Sequence, residues 1–109
     1  MTDTDIRVQL LLSVQRAMLD AVPATLRSVT CGWAGTEIKL QFLFDGSISE
    51  DDEKSMRMVG SEVIADFPSP WTITEQVARF DYPNDLRSLV LPLWAYARKE
   101  RTSEGEALR

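Results

Sequence analysis

The chain has 109 residues, and its 17 acidic side chains outnumber the 12 basic ones, for a formal net charge of -5 at pH 7. It contains no histidine and one cysteine, Cys31. A Ser-His-Asp or Cys-His catalytic centre, a histidine-ligated metal and a disulfide within one chain are therefore excluded. The acidic balance also disfavours nucleic acid and anionic membranes as partners, because both are bound through lysine and arginine.

No targeting or membrane segment is expected. No stretch has the basic, apolar and small-residue layout of a signal peptide, and the longest apolar run, residues 10–12, is far shorter than the roughly 20 residues that span a bilayer. We therefore expect a cytoplasmic protein in which Cys31 stays reduced. No glycine-rich phosphate loop occurs, so no cofactor is expected.

Residues 5–22 have the spacing of an amphipathic helix, with a cap at Asp3 or Thr4 and an end before Pro23. Seven apolar side chains fall on one stripe and predict the side that packs in the core. A second apolar strip falls on the opposite side: Val8, Leu12 and Leu19. We expect this strip either to be covered by the C-terminal segment or to associate two copies of the chain.

In residues 28–33 and 37–44, apolar side chains alternate with side chains that are mostly polar or small. This alternation predicts two strands. Ala34 and Gly35 between them indicate a tight hairpin turn, for which glycine supplies a positive φ. Cys31 falls on the inward face of the first strand, so we expect a packed and unreactive thiol.

A second helix is predicted after Ser49, because this side chain can cap it and four carboxylates follow where the helix dipole favours them. Its apolar stripe runs from Met56 to Phe67 and ends before Pro68. Gly60 lies within that stripe, where glycine costs up to about 1 kcal/mol relative to alanine. We therefore expect a neighbouring element to approach closely at this position.

Two further strands are predicted in the second half of the chain. Residues 71–81 form the first, with a bulge or a register change where the alternation slips near Glu75. Residues 89–98 form the second. Pro92 lacks an amide donor, so it limits this strand to a sheet edge or to a start near Leu93.

The element order α-β-β-α-β-β predicts one α+β domain over residues 1–100, followed by a polar tail over residues 101–109. Two hairpins would join into a four-stranded antiparallel sheet with both helices on one face. The other face would then be open and mostly polar, which suits the docking of a partner.

Two groups of residues are candidates for binding a protein partner. The first is the acidic surface of the second helix: Glu50, Asp51, Asp52, Glu53, Glu62 and Asp66. Consecutive residues on a helix point in different directions, so the four carboxylates at its start cannot converge on one metal ion, but they can face a basic surface. The second group belongs to the expected open sheet face and its aromatic neighbours: Glu37, Gln41, Trp71, Trp94 and Tyr96.

Catalysis has little support in the sequence. Glu62 and Asp66 lie one helical turn apart and are the only carboxylate pair with a geometric reason to be close. General acid-base work also needs a cleft and perturbed surroundings, which the sequence does not indicate. Binding is therefore favoured over catalysis, largely by elimination.

Five segments stand out as a set: LLLSVQRAML at 10–19, FLFDGSISEDDE at 42–53, SEVIADFP at 61–68, RFDYP at 79–83 and AYARKE at 95–100. Together they resemble a family of small bacterial immunity proteins of contact-dependent growth inhibition and related polymorphic toxin systems. The resemblance implies a non-enzymatic protein that binds and neutralises a cognate toxin domain in the cytoplasm. A toxin that attacks nucleic acid has a basic substrate site, which suits an acidic inhibitor. The alternative is a homodimeric interaction or scaffold module that associates through Val8, Leu12 and Leu19.

Overall fold

The computed structural model describes residues 1–100, and the predicted polar tail lies outside them. Within that range the order of helices and strands is the predicted one, with a short 3-10 helix added before the last strand. The elements are α1 (Asp3–Ala17), β1 (Leu26–Ala34), β2 (Glu37–Phe44), α2 (Glu50–Ala65), β3 (Thr72–Arg79), the 3-10 helix (Leu86–Ser88) and β4 (Leu93–Ala97). No helix in the described range is long and apolar enough to cross a membrane.

The four strands form one mixed sheet in the order β3-β2-β1-β4. β1 pairs antiparallel with both β2 and β4, but β3 runs parallel to β2, so the expectation of a wholly antiparallel sheet is wrong. The reason is that α2 connects β2 to β3. Its 16 residues span about 24 Å and an eight-residue strand spans about 26 Å, so the helix returns the chain to the end where β2 began. β3 therefore enters through a helical crossover and not through a hairpin.

Both helices pack against the same face of the sheet. α1 contacts β1 and β4, and α2 contacts β2 and β3. Helix side chains such as Leu10 and Met56 meet strand side chains such as Val29 and Phe42 in one buried cluster. Cys31 belongs to the same cluster, as its place on the inward face of the first strand predicts.

The other face of the sheet is not open, because the chain between β3 and β4 crosses it. Gln41, which we expected on an exposed face, is only 4% exposed. Its side-chain amide donates to the carbonyl of Leu89 at 3.1 Å, and its side-chain oxygen accepts from the Thr30 hydroxyl at 3.1 Å. The same hydroxyl accepts from the amide of Leu91 at 3.1 Å. The protein's own chain thus occupies part of the predicted docking face.

Gly60 marks a close contact between α2 and β3, and the neighbour is Glu75. A β-carbon at residue 60 would overlap the Glu75 carboxylate and lie 2.8 Å from its Cγ atom. The pairing of β2 with β3 is continuous from Thr72 to Arg79, so the expected bulge or register change is absent there. The alternation slips in the sequence because a carboxylate stands on the helix-facing side of β3, where Gly60 leaves room for it. Arg57 donates to this carboxylate at 3.3 Å and to the Glu75 carbonyl at 3.1 Å.

Two element boundaries show how local chemistry sets the limits of the helices and strands. α1 is capped by Thr2, one residue before the earliest predicted cap, and it ends at Ala17. It stops before the predicted end because the chain turns at Asp20, whose φ of 64° is left-handed. β4 begins at Leu93 and lies at a sheet edge, as Pro92 predicts.

A buried ion pair fastens the end of the described chain to β1. Arg27 is fully buried, and its guanidinium donates to the two carboxylate oxygens of Glu100 at 2.7 and 2.9 Å. It also donates to the backbone carbonyls of Phe80 and Asn84, at 2.6 and 2.9 Å. The sequence alone does not predict this pair, because 73 residues separate Arg27 from Glu100.

The segments that carry the family resemblance supply much of this network. Asp45, Phe80, Arg98 and Glu100 each belong to one of them. The guanidinium of Arg98 bonds the carboxylates of Asp45 and Glu100, at 3.0 and 3.1 Å. These residues therefore hold together the end of β2, the turn after β3 and the chain after β4.

Candidate partner-binding surface

The net charge of the protein is concentrated in its helical layer, which comprises residues 1–22 and 50–66. Residues 1–22 carry three acidic and two basic side chains, and residues 50–66 carry six acidic and two basic ones. The rest of the chain holds eight of each, so the two helical segments account for the whole formal charge of -5. Long-range attraction of a charged partner therefore acts mainly through the helices.

The predicted acidic residues at the start of α2 are exposed, except Asp52, which is half-buried. The Ser49 hydroxyl accepts a hydrogen bond from the Asp52 amide at 3.0 Å, which confirms the predicted cap. Glu53 pairs with Arg57 one turn later, at 3.3 Å. In the described part of the chain, no group of three cysteine or acidic residues is arranged to hold a metal ion.

Asp66, just after α2, joins the two helices. Its carboxylate accepts hydrogen bonds from the Ser13 hydroxyl at 2.6 Å and from the Arg16 guanidinium at 2.9 Å. These bonds hold the pKa of Asp66 below its usual range. The side chain of Gln9 donates to the Asp66 carbonyl at 2.8 Å. Asp66 is thus engaged within the protein, whereas Glu62 is exposed on the surface between the helices.

The aromatic members of the second predicted group do not share a surface. Trp71 packs against Phe67 at the start of β3, with ring centroids 5.2 Å apart. Trp94 and Tyr96 belong to β4, which lies at the opposite edge of the sheet, about 14 Å away across three strand spacings. A register shift between Trp94 and Tyr96 then places their side chains on different faces.

A shallow groove of about 310 Å³ is what remains of the predicted sheet-face site. Glu37 lines it together with Lys39, Thr74 and Gln76. The Glu37 carboxylate accepts a hydrogen bond from the Thr74 hydroxyl at 2.6 Å. This groove holds one acid and one base, so it has no net charge with which to select a partner.

A groove with two exposed apolar side chains in its mixed lining lies between the helices, and the sequence predicts only part of it. Leu19, just after α1, is 72% exposed, and Met58 of α2 is 56% exposed. With Ala17 and Val59 they line a cavity of about 180 Å³, whose other walls include Arg16, Ser55 and Glu62. Leu19 belongs to the predicted strip, but Met58 was not identified. Met58 could have been identified from the sequence as an apolar residue that lies outside the buried stripe of α2.

Val8 and Leu12, the other members of the predicted strip, are 51% and 55% exposed. They line a second groove, of about 380 Å³, which shares Arg16 with the groove at Leu19. The strip is therefore exposed within residues 1–100. The predicted cover by the C-terminal segment falls in part on residues outside that range.

The residues considered for catalysis do not form a reactive centre. Burial in the core raises the pKa of the Cys31 thiol to about 12, so the thiol is protonated at neutral pH and is a poor nucleophile. Asp66 bonds to α1, and Glu62 lies in an open groove with Leu19 and Met58. The surface of the helical layer is suited to contact with another protein.

One family model matches most of the chain. It is the model of the MafI2 immunity protein, and the match covers residues 7–100. The matched range includes most of α1 and every later element, and it ends at Glu100, the buried partner of Arg27. A comparison with curated proteins gives no match. The chain belongs to the MafI2 immunity protein family.

Proposed function

We propose that this protein protects the cell that makes it by binding and neutralising a cognate toxin domain, without catalysing a reaction. Membership of an immunity protein family is the observation that carries this proposal. Inhibition by complex formation needs a stable fold and a specific exposed surface. The acidic helical layer, with exposed apolar side chains in its grooves, meets that need. The complex forms in the cytoplasm, before the toxin reaches its target.

The charge distribution favours a toxin that acts on nucleic acid. An enzyme that cleaves nucleic acid binds its substrate through basic side chains. The helical layer carries the whole charge of -5, so it can attract such a basic site over several ångströms and then cover it. Glu50, Asp51, Glu53 and Glu62 are the exposed carboxylates that we assign to this attraction.

Co-expression with the toxin domain encoded beside this gene tests the proposal. We expect the toxin domain alone to stop growth, and the pair to restore growth and to co-purify as a complex of one copy each. The purified toxin domain should degrade DNA or RNA, and an equimolar amount of this protein should stop the degradation.

Each part of the proposal is contradicted by a different experimental result. If the pair neither co-purifies nor restores growth, immunity by binding is wrong. If the pair restores growth but the toxin domain leaves DNA and RNA intact, only the assignment to nucleic acid is wrong. Destruction or modification of the toxin by a catalytic amount of this protein would contradict the non-enzymatic role.

A homodimeric interaction module is the second candidate, and the exposed strip of Val8, Leu12 and Leu19 favours it. Apolar side chains this exposed along one helix and the turn that follows it often mark contact between copies. Light scattering at high protein concentration distinguishes the two functions: a dimer supports the module, and a strict monomer removes its main support.

A further inference from the structure

We infer that the groove between α1 and α2 is the anchor site for the toxin, and that it receives an apolar side chain from a surface rich in lysine and arginine. This inference rests on the proposed function and goes further, because it names the contact site and the chemistry of the surface that fits it. The anchor groove is the cavity between α1 and α2 that is lined by Arg16, Ala17, Leu19, Ala21, Ser55, Met58, Val59 and Glu62.

The two exposed apolar side chains of the anchor groove are the first reason. Leu19 and Met58 are 72% and 56% exposed on neighbouring elements and line the same cavity, so one inserted apolar side chain can contact both. The cavity, about 180 Å³, is of the size that one large side chain fills. Interface energy tends to concentrate at such central, well-packed positions.

The charge around the anchor groove is the second reason. Glu62 forms part of its wall and is exposed. Arg16, the basic residue in the wall, is already held by Asp66 at 2.9 Å. The groove therefore presents two exposed apolar side chains beside negative charge, and basic side chains around the incoming residue would complete the match.

The same charge argues against a second copy as the occupant. Two copies joined through this face would bring together two helical layers that each carry the whole charge of -5. The Debye length at physiological ionic strength is about 8 Å, so charges brought together at an interface repel with little screening. A basic partner gains from the same arrangement.

Within residues 1–100, the outer face of the sheet has no comparable pair of exposed apolar side chains. Residues that connect β3 to β4 cross that face, and Gln41 beneath them is buried. Its remaining groove contains both Glu37 and Lys39 and so is balanced in charge. Leu89 is exposed on this side at 46%, which makes it a matched apolar control for the anchor groove.

The test measures binding of the catalytically inactivated toxin domain encoded beside this gene to variants of the full chain. We expect Leu19→Ala and Met58→Ala each to raise the Kd at least about 30-fold, and Leu89→Ala to change it less than about threefold. Glu62→Lys should slow association several-fold and make the association rate less dependent on salt. Unchanged thermal unfolding of each variant shows that the effects come from the interface.

The outcomes separate this inference from the proposed function. If the unaltered protein binds and Leu19→Ala and Met58→Ala bind equally well, the anchor groove is wrong while the proposed function stands. If the unaltered protein does not bind the toxin domain, both are wrong. If light scattering finds a dimer that Met58→Ala dissociates, a second copy occupies the groove and the inference is wrong.

Discussion

Replacement of Glu100 by glutamine should be among the most destabilising single changes in the described part of the chain. The side chains of Arg27 and Glu100 are 0% and 2% exposed, so water cannot replace a lost partner. Glu100→Gln keeps the shape but removes the negative charge, which leaves the guanidinium buried with the carbonyls of Phe80 and Asn84. Breaking one side of a buried pair costs about 3–5 kcal/mol, a large share of the about 5–15 kcal/mol that stabilises a typical domain.

Urea unfolding followed by tryptophan fluorescence measures this loss. The exposed neighbour provides the control: Lys99→Gln should change the free energy of unfolding by less than about 0.5 kcal/mol. Adding Arg27→Met to Glu100→Gln should recover part of the loss, because it removes the stranded cation. Recovery stays incomplete, since the carbonyls of Phe80 and Asn84 then lose their donor. A loss below about 1 kcal/mol for Glu100→Gln would refute the reasoning.

Two further predictions concern the contacts of α2. Gly60→Ala should be less favourable in the unaltered chain than in a Glu75→Ala background, because its β-carbon must displace the Glu75 side chain from its place beside Arg57. In the Glu75→Ala background it should stabilise the protein by up to about 1 kcal/mol through helix propensity. Equal effects in the two backgrounds, measured by urea unfolding, would contradict the contact. Asp66 has a lowered folded pKa, so its contribution is present above the unfolded value near 3.8 and is lost as pH falls through the folded value. Asp66→Asn should therefore be less stable than the unaltered protein at pH 7 and equally stable in strong acid. Urea unfolding measured from pH 2 to 7 tests this expectation. A difference in the free energy of unfolding that stays constant with pH would argue against this role.

Local signals in the sequence identify the elements well, because each depends on neighbouring residues. Ser49 followed by four carboxylates places the start of α2, and Pro92 places the start of β4 at a sheet edge. The direction of β3 depends instead on where α2 returns the chain in space. Periodicity carries no information about that, so the parallel pairing escapes prediction.

The break in the alternation at Glu75 shows how a tertiary contact can imitate a local irregularity. Read alone, a carboxylate on the apolar side of a strand indicates a bulge. In the structure the strand is regular, and Gly60 on the neighbouring helix makes room for the carboxylate. The sequence carries both halves of this contact, but nothing in it pairs residue 60 with residue 75.

The candidate surface was predicted in part for a similar reason. The acidic residues of α2 and the exposed Leu19 follow from helical spacing alone, and the structure places them in one layer. Gln41 was expected to be exposed because alternation alone cannot reveal which segment crosses a sheet face. Met58 was not identified because only the fold brings it to the same cavity as Leu19, which lies in the turn after α1.

The structure separates what holds the fold from what we propose recognises the partner. The Arg27 network joins β1, the turn after β3 and the chain after β4, whereas the anchor groove is formed by residues of the two helices and the turn after α1. Exposed residues such as Leu19 and Met58 can be exchanged at a cost within about 0.5 kcal/mol, while the buried pair tolerates no single replacement cheaply. A protein built in this way can change its partner by substitutions in the groove and keep its fold. Exchange of Leu19 and Met58 should therefore alter which toxin domain is bound without altering the unfolding temperature.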